Sequence, residues 1–396
     1  MRPGIAIHHS SLPTRDSRVV RCDVAAIIAF LIKEEWPEGA TAGDFVDFPL
    51  RRWQELVEHP LRHLVELPAQ RAARAFFENG GDELHIYVTC INSRDELTLG
   101  GLGEGVLGPL FQRLRCEDEI ALLAIPSAAY MRCEMLRSGR IRCDAEVLYE
   151  EFLAHCRQMS NRFMVIDPPQ RLHGDLLLRW FRDFRDRDPS NRAFGAMYYP
   201  WVCRGDEVQP PSGAVMGVFA RTEMEHAPFG VAWPPANTAV KGMTHTEVEM
   251  DWAEVGIVSE VGINPLIVQP GRGVVIWGAR TLSSDPAWIF INSRRIVSMV
   301  TEQLRRDNEW AVFEPNTGTL WKVLERDVLV RLDQFWSAGL LGGSRAQQEY
   351  SVQCGSDTNP VEARDRGELN VRVSLRPIGT TERILIDLRL GSSDNQ

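Results

Sequence analysis

The chain of 396 residues is 44% hydrophobic and 25% charged, which is enough apolar material to bury sizeable cores in two or more domains. Its formal net charge of -10 argues against nucleic acid as a main partner, because phosphate binding depends on positive fields. The eight cysteines include no CxxC pair and no zinc-like spacing to histidine, so we expect buried free thiols in an intracellular protein. Residues 1–5 carry no apolar segment typical of a signal peptide.

Strands and helices alternate through the N-terminal part of the chain. The predicted strands are apolar runs over residues 24–32, 84–89, 120–125, 163–166 and 196–199. The predicted helices cover residues 68–79 and 145–156, the segment around Leu177, Phe181 and Phe184, and a segment beginning near Ser212. This alternation favours a parallel or mixed α/β sheet.

The C-terminal part combines further strands with two longer helices. Strands are predicted over residues 273–277, 288–291, 369–375 and 384–390, and helices over about 294–305 and 319–338. In the second of these helices four apolar residues recur every four positions, namely Leu320, Leu324, Val328 and Leu332. Such a stripe must face the core of its domain.

Two patterns that resemble ligand sites have simpler explanations. Residues 103–108 fit the GxGxxG spacing of a dinucleotide loop, but Glu104 would put a negative charge into the phosphate cradle. Pro109 instead indicates a turn into a short helix. Residues 245–249 place one histidine and two glutamates on one strand face, and without a second ligand cluster we expect a solvated polar surface. Neither a cofactor nor a metal is therefore expected.

Ser212 lies just before a predicted helix, where the nucleophile of a hydrolase could sit. A working triad needs a histidine base within hydrogen-bond reach and a carboxylate that orients it. His155 and His173 belong to amphipathic helices, whereas His226 and His245 come without a matching motif. We therefore expect Ser212 to cap the helix that follows it, and we expect no catalytic residue.

Four ordered segments carry the most specific signal. They are Trp277-Gly278-Ala279-Arg280-Thr281-Leu282, Asn292-Ser293-Arg294-Arg295, Phe313-Glu314-Pro315-Asn316 and Trp321. These segments resemble the WGARTL, NVRR and FEPN runs of contractile tail sheath proteins, which are the subunits of phage tails, pyocins and extracellular contractile injection systems. Residues 76–81, 198–201 and 210–213 resemble further motifs of that family. Residues 230–237 resemble its WKAPAN segment, although the Lys position is not basic here.

The resemblance implies an α/β (α+β) fold in four parts. An extended N-terminal arm would cover residues 1–20, and an outer subtilisin-like α/β domain residues 21–262. An inner C-terminal domain with a mixed sheet and two helices would cover residues 263–383, followed by a C-terminal strand arm over residues 384–396. Outer domains of this kind resemble the protease fold without its activity, which favours a structural protein over the alternative, a hydrolase on a subtilisin-like scaffold.

The two arms are the candidate joints between subunits. The candidate exchange residues, which alternate with other side chains along short extended segments, are Ile5, Ile7, Ile384, Ile386, Leu388 and Leu390. By pattern alone, residues 384–390 form an ordinary last strand of their own domain. The resemblance favours strand exchange, in which an arm completes a neighbour's sheet through main-chain hydrogen bonds.

The predicted helix over residues 319–338 is the candidate contact with an inner tube. With its apolar stripe facing inward, Lys322 and Arg326 stand one turn apart on the other side. These two side chains either meet an acidic tube surface or pair with Glu325, Asp327 and solvent. A charge-based contact would suit a surface that must release during contraction, because salt screens it.

The resemblance thus predicts a mechanical polymer rather than an enzyme. The subunit would form hexameric rings that stack helically around an inner tube, and contraction would drive the tube through a target envelope. The implied partners are other copies of the chain, the inner tube protein, and baseplate and terminal cap proteins, with no nucleic acid and no direct membrane insertion. Assembly would take place in the cytoplasm, as part of a phage tail or tail-like particle that is released by lysis.

Overall fold

The structure is a computed structural model that describes residues 19–97, 105–343 and 345–379. Its strands are β1 Ala25–Ile32, β2 Phe45–Leu50, β3 Leu84–Ile91, β4 Leu122–Ala124, β5 Cys133–Met135, β6 Ile141–Cys143, β7 Phe163–Ile166, β8 Gly195–Tyr199, β9 Val202–Arg204, β10 Glu207–Gln209, β11 Thr238–Ala239, β12 His245–Thr246, β13 Ile263–Gln269, β14 Gly273–Ile276, β15 Tyr350–Gln353 and β16 Arg372–Leu375. Its helices are α1 Trp53–Glu58, α2 Leu67–Glu78, α3 Gly108–Arg115, α4 Ala145–Met159, α5 Gly174–Arg187, α6 Ser212–Glu225, α7 Trp252–Glu260, α8 Ile291–Asp307, α9 Gly318–Ser337, α10 Ala346–Glu349 and α11 Val361–Asp365.

Among the described residues, nine strands form one mixed sheet in the order β11-β14-β13-β8-β7-β4-β1-β3-β2. The six strands from β13 to β3 run parallel to one another, whereas β2, β14 and β11 pair antiparallel at the two edges. The predicted strands and helices of the N-terminal part are all present, with ends shifted by a few residues. The predicted mixed α/β fold is therefore confirmed.

Helices cover both faces of the sheet, which is why its central strands are apolar along their whole length. In β1 the side chains of Ala26 and Ile28 pack on one side with α4 and α5, whereas those of Ala25 and Ile27 pack on the other with α2 and α6. Residues 25–29 are completely buried. The sheet and its helices thus form a closed core with two layers of side chains.

The backbones of α6 and α2 lie in close contact, because α6 has two glycines on the face that packs against α2. A Cβ atom at Gly213 would collide with the backbone of Ala72, and one at Gly217 would collide with the carbonyl oxygen of Phe76. Gly213 belongs to the segment 210–213 that the sequence analysis singled out. Its role in this fold is the close approach of two helices.

The C-terminal layer consists of α8, α9 and a small antiparallel sheet of β15 and β16. The predicted stripe on α9 is confirmed, because Leu320, Leu324, Val328 and Leu332 are all buried. Val328 and Leu332 share one apolar cluster with Val300 of α8 and Val352 of β15. Helix α9 begins and ends one residue before the predicted positions.

Two predicted strands of the C-terminal part differ in the structure. The strand expected over residues 273–277 is β14, which pairs with β13 and β11 inside the nine-stranded sheet rather than in a separate inner sheet. The strand expected over residues 288–291 is wrong: only an isolated bridge joins Phe290 to Arg280, and α8 begins at Ile291. Backbone pairing over long sequence distances decides both cases, and a local pattern does not contain it.

The prediction of buried free thiols is wrong for four of the eight cysteines, of which Cys22 is free but only half-buried. Cys133 and Cys143 form a disulfide, because antiparallel pairing of β5 and β6 places them directly opposite each other with a Cα–Cα distance of 4.1 Å. Cys116 is free but exposed. Within the described ranges, no helix combines the length and the apolarity that a membrane span requires.

Candidate assembly site

Ser212 is fully buried, and the prediction that it caps α6 is wrong. Pro211 occupies the N-cap position, and the Ser212 backbone N–H donates to Asp167 Oδ1 at 2.8 Å. The Ser212 hydroxyl lies beside this carboxylate without a hydrogen bond of proper geometry. Burial raises the pKa of Asp167 to about 7, against the hydrogen bond from Ser212. This arrangement satisfies the helix N-terminus and leaves the hydroxyl unactivated.

The four histidines considered for a triad have other partners. Burial and the neighbouring Arg162 lower the pKa of His155 to about 3. The Nδ1 atom of His173 lies 3.5 Å from the Tyr199 hydroxyl, His226 stacks on Trp233, and His245 contacts the hydroxyl of Thr244. In the part of the chain that the structure describes, Ser212 therefore has no histidine partner, and the residues of a triad do not come together.

The structure describes Pro109 and residues 245–249, which belong to the two sequence patterns that resemble ligand sites. Pro109 lies in the first turn of α3, as expected, while residues 98–104 lie outside the described residues. His245 and Glu249 are exposed, as expected for a solvated face, whereas Glu247 is half-buried and burial raises its pKa. Across the described ranges, no group of three or more histidine, cysteine or acidic side chains is arranged to hold a metal ion.

The segment from Trp277 to Leu282 connects the large sheet to the C-terminal layer. Asn264 of β13 holds its centre: the Asn264 amide donates to the Arg280 carbonyl at 2.7 Å, and the Arg280 N–H donates back to Asn264 Oδ1 at 2.7 Å. A Cβ atom at Gly278 would lie 2.7 Å from the same Oδ1. The Thr281 hydroxyl donates to the Trp288 carbonyl at 2.6 Å. This motif thus builds a rigid junction.

Arg294 and Arg295, at the start of α8, extend that junction into the core. The Arg294 guanidinium lies 4.5 Å from the ring centre of Phe194 and 4.4 Å from that of Trp288, and its burial lowers its pKa to about 10. Arg295 forms a buried ion pair with Glu223 of α6. Burial raises the pKa of Glu223 to about 7, and the charge of Arg295 opposes this shift.

Sequence reasoning singled out the two arginines and missed Glu223. One signal was available: Glu223 is an acidic residue in α6, a helix that is buried on nearly every side. A carboxylate at such a position needs a cationic partner, because an unpaired buried charge is strongly unfavourable.

The N-terminal segment enters the fold along α8. The Val20 N–H donates to the Gln303 side chain at 2.9 Å, and Arg295 donates to the Cys22 carbonyl at 2.6 Å. Arg21 pairs with Asp23 at 2.9 Å. The root of the predicted N-terminal arm is therefore fixed to the C-terminal layer, while Ile5 and Ile7 themselves lie outside the described residues.

A groove of about 1640 Å³ opens in the C-terminal layer. It runs between α8 and the strand β16, over the side of α9. Its apolar lining includes Val300, Leu304, Leu324, Val328, Val373 and Leu375. Within the described residues β16 pairs only with β15, so its other edge has no strand partner there, and residues 373–375 line the groove. An open strand edge next to apolar side chains can receive a further strand.

The described chain reaches Gly379, which lines the same groove. Beyond β16 the backbone continues alongside residues 340–342, where the Ile378 N–H donates to the Leu340 carbonyl at 2.9 Å. The predicted exchange residues Ile384, Ile386, Leu388 and Leu390 lie outside the described residues.

The loop between α8 and α9 carries the FEPN segment. Asn316 fixes its end: the Asn316 amide donates to the Glu368 carbonyl at 2.9 Å, and the Trp321 indole N–H donates to Asn316 Oδ1 at 2.7 Å. The Thr317 hydroxyl accepts from the Leu320 N–H and caps α9. Glu314 and Pro315 are exposed.

The two candidate tube contacts lie on the outer face of α9. Lys322 is exposed, and the Arg326 side chain is 70% exposed with its guanidinium 3.1 Å from Asp327 Oδ1. Leu329 and Val330 are exposed apolar residues on the following turn. The structure therefore places both basic side chains at the surface and gives Arg326 an acidic neighbour within the same helix.

Two family models match consecutive parts of the chain. The phage tail sheath protein central domain matches residues 190–282, and the phage tail sheath C-terminal domain matches residues 283–391. Their boundary falls at the end of the junction segment. Together they contain the β8 strand, the groove, α9 and all four of the segments on which the resemblance rests.

Curated relatives match over shorter segments. A putative prophage major tail sheath protein of Pseudomonas aeruginosa (strain UCBPP-PA14) is 29% identical over 119 residues, which cover 28% of this chain and 30% of the relative. The tail sheath protein of Escherichia phage P2 is 22% identical over 161 residues, which cover 39% of each chain. The matched segments thus span between a quarter and two fifths of either chain.

Solved structures match over nearly the whole length. The anti-feeding prophage (AFP) helical sheath in its contracted state has a TM-score of 0.70 at 23% identity and covers 98% of each chain. The sheath complex of PVC, an extracellular contractile injection system, in its contracted state has a TM-score of 0.70 at 22% identity and covers 98% of this chain and 97% of that one. At these identities the likeness shows a shared fold.

Proposed function

Because this chain belongs to the phage tail sheath family, whose central and C-terminal domain models match residues 190–391 without a gap, we propose that it is a structural subunit of a contractile sheath. The subunits polymerise helically around an inner tube, and their contraction drives the tube through a target envelope. The observation that carries this proposal is the match of two consecutive sheath domains on a fold shared along its length with contracted sheaths.

Strand exchange between arms holds the polymer together. The groove supports this part of the proposal, because β16 pairs only with β15 in the described ranges and lies beside apolar side chains that an incoming strand could cover. Residues 384–390 have the alternation that such a strand needs, with Ile384, Ile386, Leu388 and Leu390 on one face. The N-terminal arm leaves from a root that is fixed to α8 through Val20 and Cys22.

Contraction is a rearrangement between subunits that move largely as rigid bodies. The junction supports rigidity, because the Asn264 contacts and the buried pair of Arg295 and Glu223 lock the large sheet to the C-terminal layer. The extended sheath is metastable, and a kinetic barrier holds it until a trigger at the baseplate. New contacts between subunits supply the energy, so no nucleotide and no catalytic residue takes part.

The partners that follow are other copies of the chain in hexameric rings, an inner tube protein, and baseplate and terminal cap proteins. Head-to-tail contacts that do not close generate the open helical polymer. Lys322 and Arg326 are the candidate contacts with the tube. The particle is a phage tail or a tail-like particle that assembles in the cytoplasm and is released by lysis.

Electron microscopy of the purified protein tests the proposal. We expect rings or tubes with helical order, and longer tubes when the inner tube protein is present. The same preparation should not hydrolyse peptide or ester substrates. A protein that stays monomeric at all concentrations and cleaves such substrates would instead support the alternative, a hydrolase on a subtilisin-like scaffold.

A further inference from the structure

Phe313 combines two unfavourable features in the isolated subunit. Its side chain is fully exposed to solvent, and so is most of the neighbouring Val312. Its backbone has a φ of 69°, in the left-handed region that a bulky residue rarely adopts. An exposed aromatic ring and a strained backbone at one position indicate a contact that the isolated subunit does not provide.

The loop holds Phe313 in a defined position. After Phe313, the fixed φ of Pro315 and the two hydrogen bonds of Asn316 tie the chain to the start of α9 and to Glu368. Before it, the Val312 N–H donates to the Glu309 carbonyl at 3.1 Å. Because hydrogen bonds hold the backbone before and after Phe313, its exposed ring keeps a defined position at the surface.

Phe313 also stands at the wall of the apolar groove. It lines the groove together with Val312, on the side where Leu320 begins the α9 stripe. Val373, Ser374 and Leu375 of β16 line the groove, and the half-buried Val373 and Leu375 alternate with the exposed Arg372 and Ser374. The groove therefore has the form that an extended strand with one apolar face requires.

We propose that Phe313 is a clasp that closes over an apolar strand, residues 384–390 of a neighbouring copy, when that strand lies along β16. This inference rests on the proposed strand exchange and names the residue that secures it. In the assembled sheath the ring is buried against the inserted strand. In the isolated subunit it stays exposed, so the strain at position 313 is offset only on assembly.

Three observations favour this occupant. Gly379, the last residue that the structure describes, lines the groove, and the chain has 17 further residues that can supply a strand to a neighbouring copy. Residues 384–390 repeat their apolar side chains with the same period of two as β16. Asp387, which alternates with those apolar side chains, has the charge to meet Arg372, an exposed residue of β16 outside the groove lining.

Photo-cross-linking of the full chain tests the contact directly. Phe313 is replaced by the photo-reactive residue p-benzoylphenylalanine, and copies labelled with ¹⁴N and ¹⁵N are mixed before assembly. We expect cross-links between position 313 and peptides containing residues 384–390, with mixed isotope pairs, and only in assembled sheaths. Cross-links within one copy, cross-links to another surface, or equal yields without assembly would each overturn the proposal.

The Phe313→Asn variant separates assembly from folding. Asparagine tolerates the left-handed backbone but removes the apolar ring. We expect the melting temperature of the unassembled subunit to be unchanged, while the concentration needed for assembly rises by about tenfold or more, as for the loss of one buried aromatic side chain. The control is Val361→Asn, which removes an exposed apolar side chain of α11 outside the groove and should assemble like the unmodified chain.

Two results distinguish this proposal from the function on which it rests. If deletion of residues 384–396 blocks assembly but Phe313→Asn assembles normally, strand exchange stands and the clasp is wrong. If the deletion leaves assembly intact, strand exchange itself is wrong, and the clasp has no strand to hold. A melting temperature that falls in step with assembly in Phe313→Asn would show that Phe313 only supports folding.

Discussion

The two sheets of this subunit differ in how completely their strand edges and apolar faces are covered. In the large sheet β1 has β3 on one edge and β4 on the other, and helices cover both of its faces. In the small sheet, among the described residues, β16 pairs only with β15, and its side chains line an open apolar groove. Burial is complete in the first region and incomplete in the second.

This difference separates the residues that stabilise the folded subunit from those that are available for assembly. The closed region contains most of the buried apolar side chains, so it stabilises the isolated subunit by the usual hydrophobic burial. As far as the structure describes the chain, the open region has an unpaired strand edge on β16, which is a hazard for a monomer and a joint for a polymer. Changes in the first region should alter the stability of the subunit, and changes in the second should alter only its assembly.

The largest effect is expected from removal of the arms. Deletion of residues 1–10 or 384–396 should leave a soluble, folded subunit that makes no long sheaths, because the groove then receives no strand. Calorimetry measures the folding of the subunit, and electron microscopy measures the length of the sheaths. Deletion of residues 391–396 alone is the control. Normal assembly and contraction of both truncated chains would refute strand exchange.

Arg295→Ala should produce the largest change in stability among the point variants. It leaves Glu223 as an unpaired charge in the core, which costs about 3–5 kcal/mol in the free energy of unfolding. The control is Arg366→Ala, which removes an exposed pair with Glu368 and should change stability very little. A loss confined to assembly would place the junction in the open region of the molecule and break the comparison.

The same variant should depend on pH in a defined direction. The pKa of Glu223 is raised to about 7 in the folded state, from about 4.5 in the unfolded state, so the folded state binds the proton more tightly. Stability from this group therefore falls as pH rises from about 4.5 to 7. Without Arg295 the carboxylate has no counter-charge, so the loss should be greater at pH 8 than at pH 5. Urea unfolding at the two pH values measures this difference.

Two glycine-to-alanine variants compare a helix that packs closely against its neighbour with a helix whose glycine has free space around it. Gly213→Ala places a methyl group against the backbone of Ala72 and should lower the free energy of unfolding by about 1–3 kcal/mol. Gly256→Ala, in α7, meets no atom within 4 Å and should raise it by up to about 1 kcal/mol, because alanine favours the helix. Equal effects would show that α2 and α6 can move apart without loss.

A smaller effect on assembly is expected from the outer face of α9. The double variant Lys322→Glu, Arg326→Glu reverses two exposed charges and should keep the melting temperature of the subunit, because only the exposed pair with Asp327 is disturbed. If the face contacts an acidic tube, sheaths should polymerise poorly around the tube or contract prematurely. Extended particles in normal yield would mean that these side chains serve only solvent and Asp327.

The sequence predicted the elements whose signal is local. The predicted ends of α9 lie within one residue of the observed ends, because the four buried residues from Leu320 to Leu332 recur about once per helical turn. The membership of β14 in the large sheet escaped prediction, because it depends on pairing with β13 and β11. The partners of Arg295 escaped for the same reason: Glu223 and Cys22 are far away in the chain, and only the fold brings them together.

The candidate site was predicted in the same uneven way. The conspicuous segments mark the junction and the groove, and the family resemblance supplied their context. Motif matching did not reveal that Phe313 is strained and exposed while Asn316 is fixed by two hydrogen bonds. The cross-strand disulfide also escaped, because the sequence separation of 10 between Cys133 and Cys143 only indicates a bridge once β5 and β6 are known to pair.

The smallest effect is expected at Ser212, which lies in the closed region. Because Pro211 takes the N-cap position and the Ser212 hydroxyl makes no hydrogen bond of proper geometry, Ser212→Ala loses no cap and leaves no partner unsatisfied. The free energy of unfolding should change by less than about 1 kcal/mol, and sheath assembly and particle activity should be unchanged. Asp167→Asn is the contrasting variant, because it alters the acceptor of the Ser212 amide. Burial disfavours the charged form of Asp167 and raises its pKa to about 7, so the neutral amide should lower stability less above pH 7 than at low pH, where Asp167 is already protonated. A particle that assembles normally with Ser212→Ala but no longer injects would give Ser212 a chemical role and favour the hydrolase.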